Sequence, residues 1–155
     1  MPSIEREAAR RFEPFNLAEV MMTIVGSDKQ FEAAYAADRL WVAADARGKP
    51  VGFAVVNVVG GNAHLDELDV LPEHGRRGIG TALVQVVHQW AARNGFAVIT
   101  LTTQDFIPWN RPFYERMGYR GIDRKDLSEP LRQLLDDEIK RGLPSQGRIA
   151  MLRNL

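Results

Sequence analysis

Val70-Leu71-Pro72-Glu73-His74-Gly75-Arg76-Arg77-Gly78-Ile79-Gly80-Thr81 carries the chain from an extended run through three glycines and two arginines into a helical stripe. Such a junction suits an anion. The first turn of a helix leaves N–H groups without partners, its dipole adds positive potential, and glycine lets the backbone approach a pyrophosphate without a Cβ in the way. Two other phosphate loops each fail on one residue. Gly75 and Gly80 have P-loop spacing, but Thr81 stands where the lysine would be, and a Rossmann fingerprint needs a third glycine where Leu83 stands. The bland alternative is a glycine-rich turn that merely starts a helix.

Upstream, Ala63–Leu71, Val51–Val59 and Leu40–Ala44 are rich in β-branched and aromatic residues. They are separated by Gly60-Gly61-Asn62 and by Asp45-Ala46-Arg47-Gly48-Lys49-Pro50, two segments with turn chemistry. This reads as an antiparallel meander. Downstream the period changes to 3.6: Ile79, Leu83, Val86, Val87, Trp90 and Ala91 form one stripe that ends at Asn94-Gly95, and a strand follows over Val98–Thr102. Strand, helix, strand requires a right-handed crossover between parallel strands.

The flanks supply more helices. Ile4, Ala8, Phe12 and Phe15 give an amphipathic helix with Glu5, Arg6, Arg10 and Arg11 on its other side, and a second helix is expected over Asp28–Ala37. Arg111–Met117 and Leu131–Ile139 read as helices, with the charges between Asp123 and Arg141 on an exposed face, and Gly147–Leu152 as a last strand. The fold class is therefore α/β in the α+β sense, a mixed and largely antiparallel sheet flanked by helices. At 155 residues, with no repeat and no linker, residues 1–155 are expected to be a single domain.

Composition limits the function classes. Twenty Lys and Arg balance 20 Asp and Glu, so no excess positive field exists to hold a nucleic acid, and none is expected as a partner. Zero cysteines removes disulfides, thiolate zinc sites and a cysteine nucleophile. Only His64, His74 and His88 occur, so no metal is expected. The charged start, Met1 to Glu7, and the lack of a long apolar run point to a soluble, cytoplasmic protein with no membrane partner.

Leu65–Ala82 resembles the acyl-CoA-binding motif of the GNAT superfamily of N-acetyltransferases, and Trp109-Asn110-Arg111-Pro112-Phe113-Tyr114-Glu115-Arg116-Met117-Gly118-Tyr119 is similar to that superfamily's closing motif. The resemblance covers nearly the whole chain. It implies acetyl-CoA as acyl donor, held by the loop residues Gly75, Arg76, Arg77, Gly78, Ile79, Gly80 and Thr81 and by the strand end Leu68, Asp69 and Val70. Two departures stand out. The superfamily's loop, [QR]-x-x-G-x-[GA], puts Gly75 at its first position, and Ile107 stands where the commoner closing motif has asparagine, while Asn110 lies four residues before Tyr114. Asn110 either bonds the pantetheine arm or caps the helix that follows.

The implied reaction needs three services: polarisation of a thioester carbonyl, a proton for the leaving thiolate, and removal of a proton from the attacking amine. Main-chain N–H groups of Leu68–Val70 suit the first, and the resemblance assigns the second to Tyr114, whose bland reading is a core aromatic beside Phe113. For the base, Glu67 leads, followed by His64 and Asp66. Strand alternation puts His64, Asp66 and Leu68 on one face and Leu65, Glu67 and Asp69 on the other unless the strand is bulged, as the resemblance implies. A solvated strand-end charge is the alternative for each.

Trp41 and Phe53 read as core or groove wall, His88 as a solvated helix residue, and Trp109 as core or acceptor groove. The acceptor, a small-molecule or peptide amine, is left open among antibiotic, polyamine, amino acid and peptide N-terminus. Competing readings are a non-catalytic acyl-CoA-binding or sensing module, which needs neither Tyr114 nor a base, and a nucleotide-binding domain. One thing is missing: the superfamily usually opens with a strand beside the first strand of the meander, and only Met1-Pro2-Ser3 precedes the first helix. The apolar edge Leu40–Ala44 is accordingly expected to be covered, by an N-terminal segment or a second copy in a homodimer, or the natural start to lie upstream.

Overall fold

A computed structural model describes residues Met1–Leu155. Six strands, β1 (Leu40–Ala44), β2 (Pro50–Val59), β3 (Asn62–Val70), β4 (Val98–Gln104), β5 (Arg120–Gly121) and β6 (Arg148–Asn154), form one sheet in the order β1-β2-β3-β4-β6-β5. Only β3 and β4 pair in parallel. The connection between them is the helix α4 (Ile79–Arg93), the crossover that the change of period requires. No helix is long and apolar enough to cross a membrane.

One face of the sheet packs on α4. Leu83, Val84, Val87 and Ala91 meet Ala54, Val56, Ala63, Leu65, Ile99, Leu101 and Met151 in the main core. His88 belongs to the same buried face, not to solvent: its Nε2 lies 3.0 Å from the Tyr119 hydroxyl, and burial pulls its pKa down to about 4. The other face holds Ile4, Phe31, Val51, Phe53, Val55 and Leu71, with Phe31 edge-on to Phe53 at 5.3 Å. Ile4 comes from α1 (Pro2–Ala9) and Phe31 from α3 (Asp28–Ala36), the latter opened by a reciprocal Ser27–Gln30 capping box. Phe53 is core; Trp41 is half-buried, edge-on to Trp90 at 5.6 Å.

Four local features depart from the sequence expectation. The first helix stops being α-helical at Ala9 and tightens into a 3-10 turn over Arg10–Phe15, because Pro14 has no N–H to continue an α-helical ladder, and Asn16 then closes it in the left-handed region. A short helix α2 (Ala18–Thr23) and the two-residue β5 were not foreseen, being too short for a period to show. The remaining helices, α5 (Asn110–Arg116) and α6 (Glu129–Lys140), lie where expected within two residues. Lastly, the charges from Asp123 to Arg141 are not all exposed, since Glu138 is buried against Arg148.

Candidate active site

Two irregularities in β3 open the sheet. Val55 pairs with Glu67 and Val56 with Leu65, leaving Asp66 unpaired as a bulge. On its other side β3 pairs with β4 only from Ala63 to Leu65, opposite Ile99 to Leu101, although β3 runs on to Val70 and β4 to Gln104. Beyond Leu65 the two parallel strands splay apart. The β3 edge that faces β4 thus has no strand partner from Asp66 onward, and its alternate N–H groups are available as donors.

Two clefts meet at this splay. One, of about 450 Å³, is lined by Leu68, Asp69 and Val70, by Gly75, Arg76, Gly78, Ile79, Gly80 and Thr81, and by Trp109, Asn110, Phe113 and Tyr114. The other, of about 400 Å³, runs along the opposite side and takes in Asp66, Glu67, Thr102 and Arg148. Phe12, Leu68, Asp69, Asn110 and Tyr114 line both.

In the first cleft, Gly78 is the residue before α4, with φ of +82°, and a Cβ built on it would meet nothing within 4 Å. Open space lies above the glycine, and the N-terminus of a 15-residue helix lies behind it, a combination that fits the pyrophosphate of acetyl-CoA. Arg76, in the left-handed region at φ 57°, lines this cleft; Arg77 lines neither. Trp109 forms part of its wall, wedged against Phe12 and Phe15 with Arg11 over its ring. Asn110 does not cap α5: it is the first helical residue, and no side-chain cap bond is made there.

Residues 4–119 match the Acetyltransferase (GNAT) family. The chain belongs to that family. A curated relative, the S-(2-succino)cysteine N-acetyltransferase of Bacillus subtilis (strain 168), is 35% identical over 71 residues, 44% of this chain and 43% of the relative. The match therefore spans less than half of that relative. Among solved structures, nourseothricin acetyltransferase superposes with a TM-score of 0.57 at 27% identity, covering 75% of this chain and 64% of that one. The paia N-acetyltransferase of Thermoplasma acidophilum, in complex with coenzyme A, shares the fold over 99% of this chain and 90% of its own, with a TM-score of 0.73 at 13% identity.

In this GNAT chain the titratable groups that face the junction are mostly carboxyls. Ligand oxygens of Glu5, Glu67 and Asp69 lie within 4.8 Å of one another. Glu5 comes from α1 and is buried, not solvated as the helical pattern implies; its carboxylate accepts hydrogen bonds from the Gly26 N–H at 3.0 and 3.3 Å. Burial raises the pKa of all three. Glu67 is pushed well up, first by burial and then by Asp69, Asp66 and Glu5, with Arg148 opposing; Asp69 is raised by burial and Glu5, with Arg11 opposing. For Glu5 the Gly26 hydrogen bond and Arg6 offset part of the burial effect. Like charges this close cannot all ionise, so the group retains protons at a pH where an ordinary carboxyl has none.

Tyr114, half-buried between the clefts, is held above the usual phenol range by burial and then by Asp69 and Glu67, so its O–H stays intact at neutral pH. Asp66 lines the second cleft, accepts a hydrogen bond from Asn57 Nδ2 at 2.8 Å, and is raised first by burial and then by Glu138. His64 is elsewhere. It is 1% exposed, lines neither cleft, sits 2.8 Å from Thr100 Oγ1, and burial pulls its pKa down to about 4. The bulge puts His64, opposite Asn57, on the same face as Glu67, opposite Val55, but His64 lies where β3 still pairs with β4, opposite Thr100, short of the splay.

The sequence pattern did not single out Glu5 or the Glu138–Arg148 pair. Glu5 and Glu138 belong to helices whose polar stripe looks solvent-facing, and Arg148 opens a strand, so nothing local signals that these side chains turn toward a cleft.

Proposed function

We propose that the chain is an acetyl-CoA-dependent N-acetyltransferase acting on a primary amine of a small molecule or peptide, the 155 residues serving as one catalytic domain. The observation that carries this reading is the shared wall: Leu68, Asp69, Asn110 and Tyr114 border both clefts, so a donor in one and an amine in the other reach the same point. The loop Gly75–Thr81 and the N-terminus of α4 hold the pyrophosphate, with Arg76 as mobile cation. Asn110 bonds the pantetheine arm in this reading, supported by its position on the wall of both clefts. No nucleic acid, membrane or metal enters the chemistry, and a cytoplasmic location goes with the donor.

Bond by bond, the acceptor ammonium gives a proton to the carboxyl group centred on Glu67, with Asp69 beside it. The freed amine forms a C–N bond at the thioester carbonyl. Alternate N–H groups of Leu68–Val70 receive the charge that grows on the carbonyl oxygen. Tyr114 donates its proton to the sulfur as the C–S bond breaks, the surplus proton on nitrogen restores Tyr114 by way of solvent, and Glu67 gives the first proton up to bulk water. With no cysteine in the chain, a thioester acyl-enzyme is unavailable, and attack on acetyl-CoA is direct in this scheme. Asp66 and the buried His64 stand outside this scheme.

The bacterial relative is named for acetylating the amine of an amino-acid derivative, which agrees with a small amine as acceptor. A screen of amines with detection of released thiol, and of N-acetylated product by mass, tests the reading. Amine-dependent thiol release supports it; acetyl-CoA binding without any turnover would return the chain to a sensing module. A thermal shift larger with ATP or NAD than with acetyl-CoA would favour a nucleotide-binding domain.

A further inference from the structure

The acceptor cleft is electrically two-ended. Its junction end holds Glu67 and Asp69 with Glu5 behind them, while its walls also carry three arginines, Arg39, Arg141 and Arg148. Arg148 is already neutralised: its Nη2 lies 2.7 Å from Glu138 Oε1 and 2.9 Å from Thr102 Oγ1, its Nε donates to Glu138 Oε2 at 2.9 Å, and both partners are about one-tenth exposed. Arg39 and Arg141 take part in none of the six ion pairs of the molecule.

Both free arginines belong to the end remote from the glycine loop. Arg39 precedes β1 level with Val56, whose N–H donates to the Arg39 carbonyl at 3.0 Å, and Val56 pairs with Leu65, four residues before Asp69. Four residues of strand are about 13 Å. Arg141 closes α6 and lines the same cleft as Asp66, the bulge residue. Asp66, held by Asn57, is the one carboxylate there without a cationic partner in hydrogen-bond contact.

We propose, resting on the acetyl-transfer reading, that the acceptor amine carries a carboxylate several bonds from its nitrogen, and that Arg39 and Arg141 bind it. The ammonium then lies at the acidic end beside the thioester and the carboxylate at the basic end. Guanidinium groups suit a carboxylate because their N–H donors match its two oxygens. A diamine of similar length would bring its second ammonium against two arginines that form no ion pair, a contact that selects against it.

Three amines of equal chain length discriminate: δ-aminovalerate, pentylamine and cadaverine. Thiol release is expected to show kcat/KM for δ-aminovalerate at least about tenfold above either other amine, equal to about 1.4 kcal/mol. In an Arg39→Ala/Arg141→Ala variant the ratio falls toward one through a raised KM, and an Arg39→Lys/Arg141→Lys variant recovers part of it. Calorimetry with glutarate, on protein saturated with coenzyme A, reads the same site without turnover. Glutarate bound by the wild type and lost in the alanine variant supports the proposal even where no amine is acetylated, a result that would count against acetyl transfer instead. Preference for pentylamine or cadaverine, or glutarate affinity absent or unaffected by the alanine variant, overturns it.

Discussion

Tyr114 and Glu67 line the same cleft, and the pKa of each is raised first by burial and then by Asp69. Removing the Tyr114 hydroxyl changes little volume, so Tyr114→Phe is expected to lower kcat by about 10²- to 10⁴-fold while leaving acetyl-CoA affinity nearly unchanged in calorimetry. An unchanged kcat, with chemistry limiting, would make Tyr114 a packing residue. The carboxyl group gives a pH signature. With Glu67, Asp69 and Glu5 holding protons more tightly than ordinary carboxyls, the acidic limb of kcat is displaced upward. Glu67→Gln removes that limb, and Glu5→Gln, which deletes a negative neighbour, moves it to lower pH. A limb that survives Glu67→Gln and vanishes in Asp66→Asn would reassign the base. The same shift acts on stability. A folded-state pKa above the unfolded value means that folding takes up a proton, so the stabilisation is complete below about pH 4 and is lost as pH rises through the folded pKa. Denaturant titrations should therefore show Glu67→Gln gaining stability relative to the wild type as pH rises from about 4 past neutrality.

At the scale of elements, the loop into α4 is a backbone device, and its failure should be a backbone failure. Gly78→Asp puts a carboxylate into the open space above the loop and an L side chain at φ +82°; acetyl-CoA binding is expected to be lost while circular dichroism and thermal unfolding show a folded protein. Undiminished calorimetric affinity would remove the loop from the site. This loop, the meander and the crossover were legible in the sequence because each is written locally, in turn residues or in a change of period. What was not legible depends on contacts between distant segments. Glu5 looks like any polar residue of an amphipathic helix until α1 packs on β3 and turns it toward Glu67. Strand alternation puts His64 and Glu67 on opposite faces, whereas the bulge at Asp66 brings them to one face and the pairing of β3 with β4 at Thr100 keeps His64 buried away from the clefts. His88 looks solvated until Tyr119, 31 residues away, supplies its hydrogen bond.

The whole molecule leaves one sheet edge bare. β1 pairs only with β2, and Val42 is 44% exposed. The N-terminal segment does not pair with this edge, since it forms α1 and packs instead on α2 and β3. Outer amides of β1 are expected to exchange rapidly in dilute solution and more slowly as concentration rises, with Val42→Lys abolishing the slowing by placing a charge in the contact. Sedimentation as a strict monomer, with fast exchange at every concentration, would rule out pairing through β1.

Direct transfer requires that two ligands be present together, one in each of the two clefts that share a wall. Initial rates of thiol release, measured while acetyl-CoA and an accepted amine are both varied, test this directly. Direct transfer predicts double-reciprocal lines that intersect and no acetylated protein by mass. Parallel lines with an acetyl group on the protein, or thiol release that never depends on an amine, would contradict it.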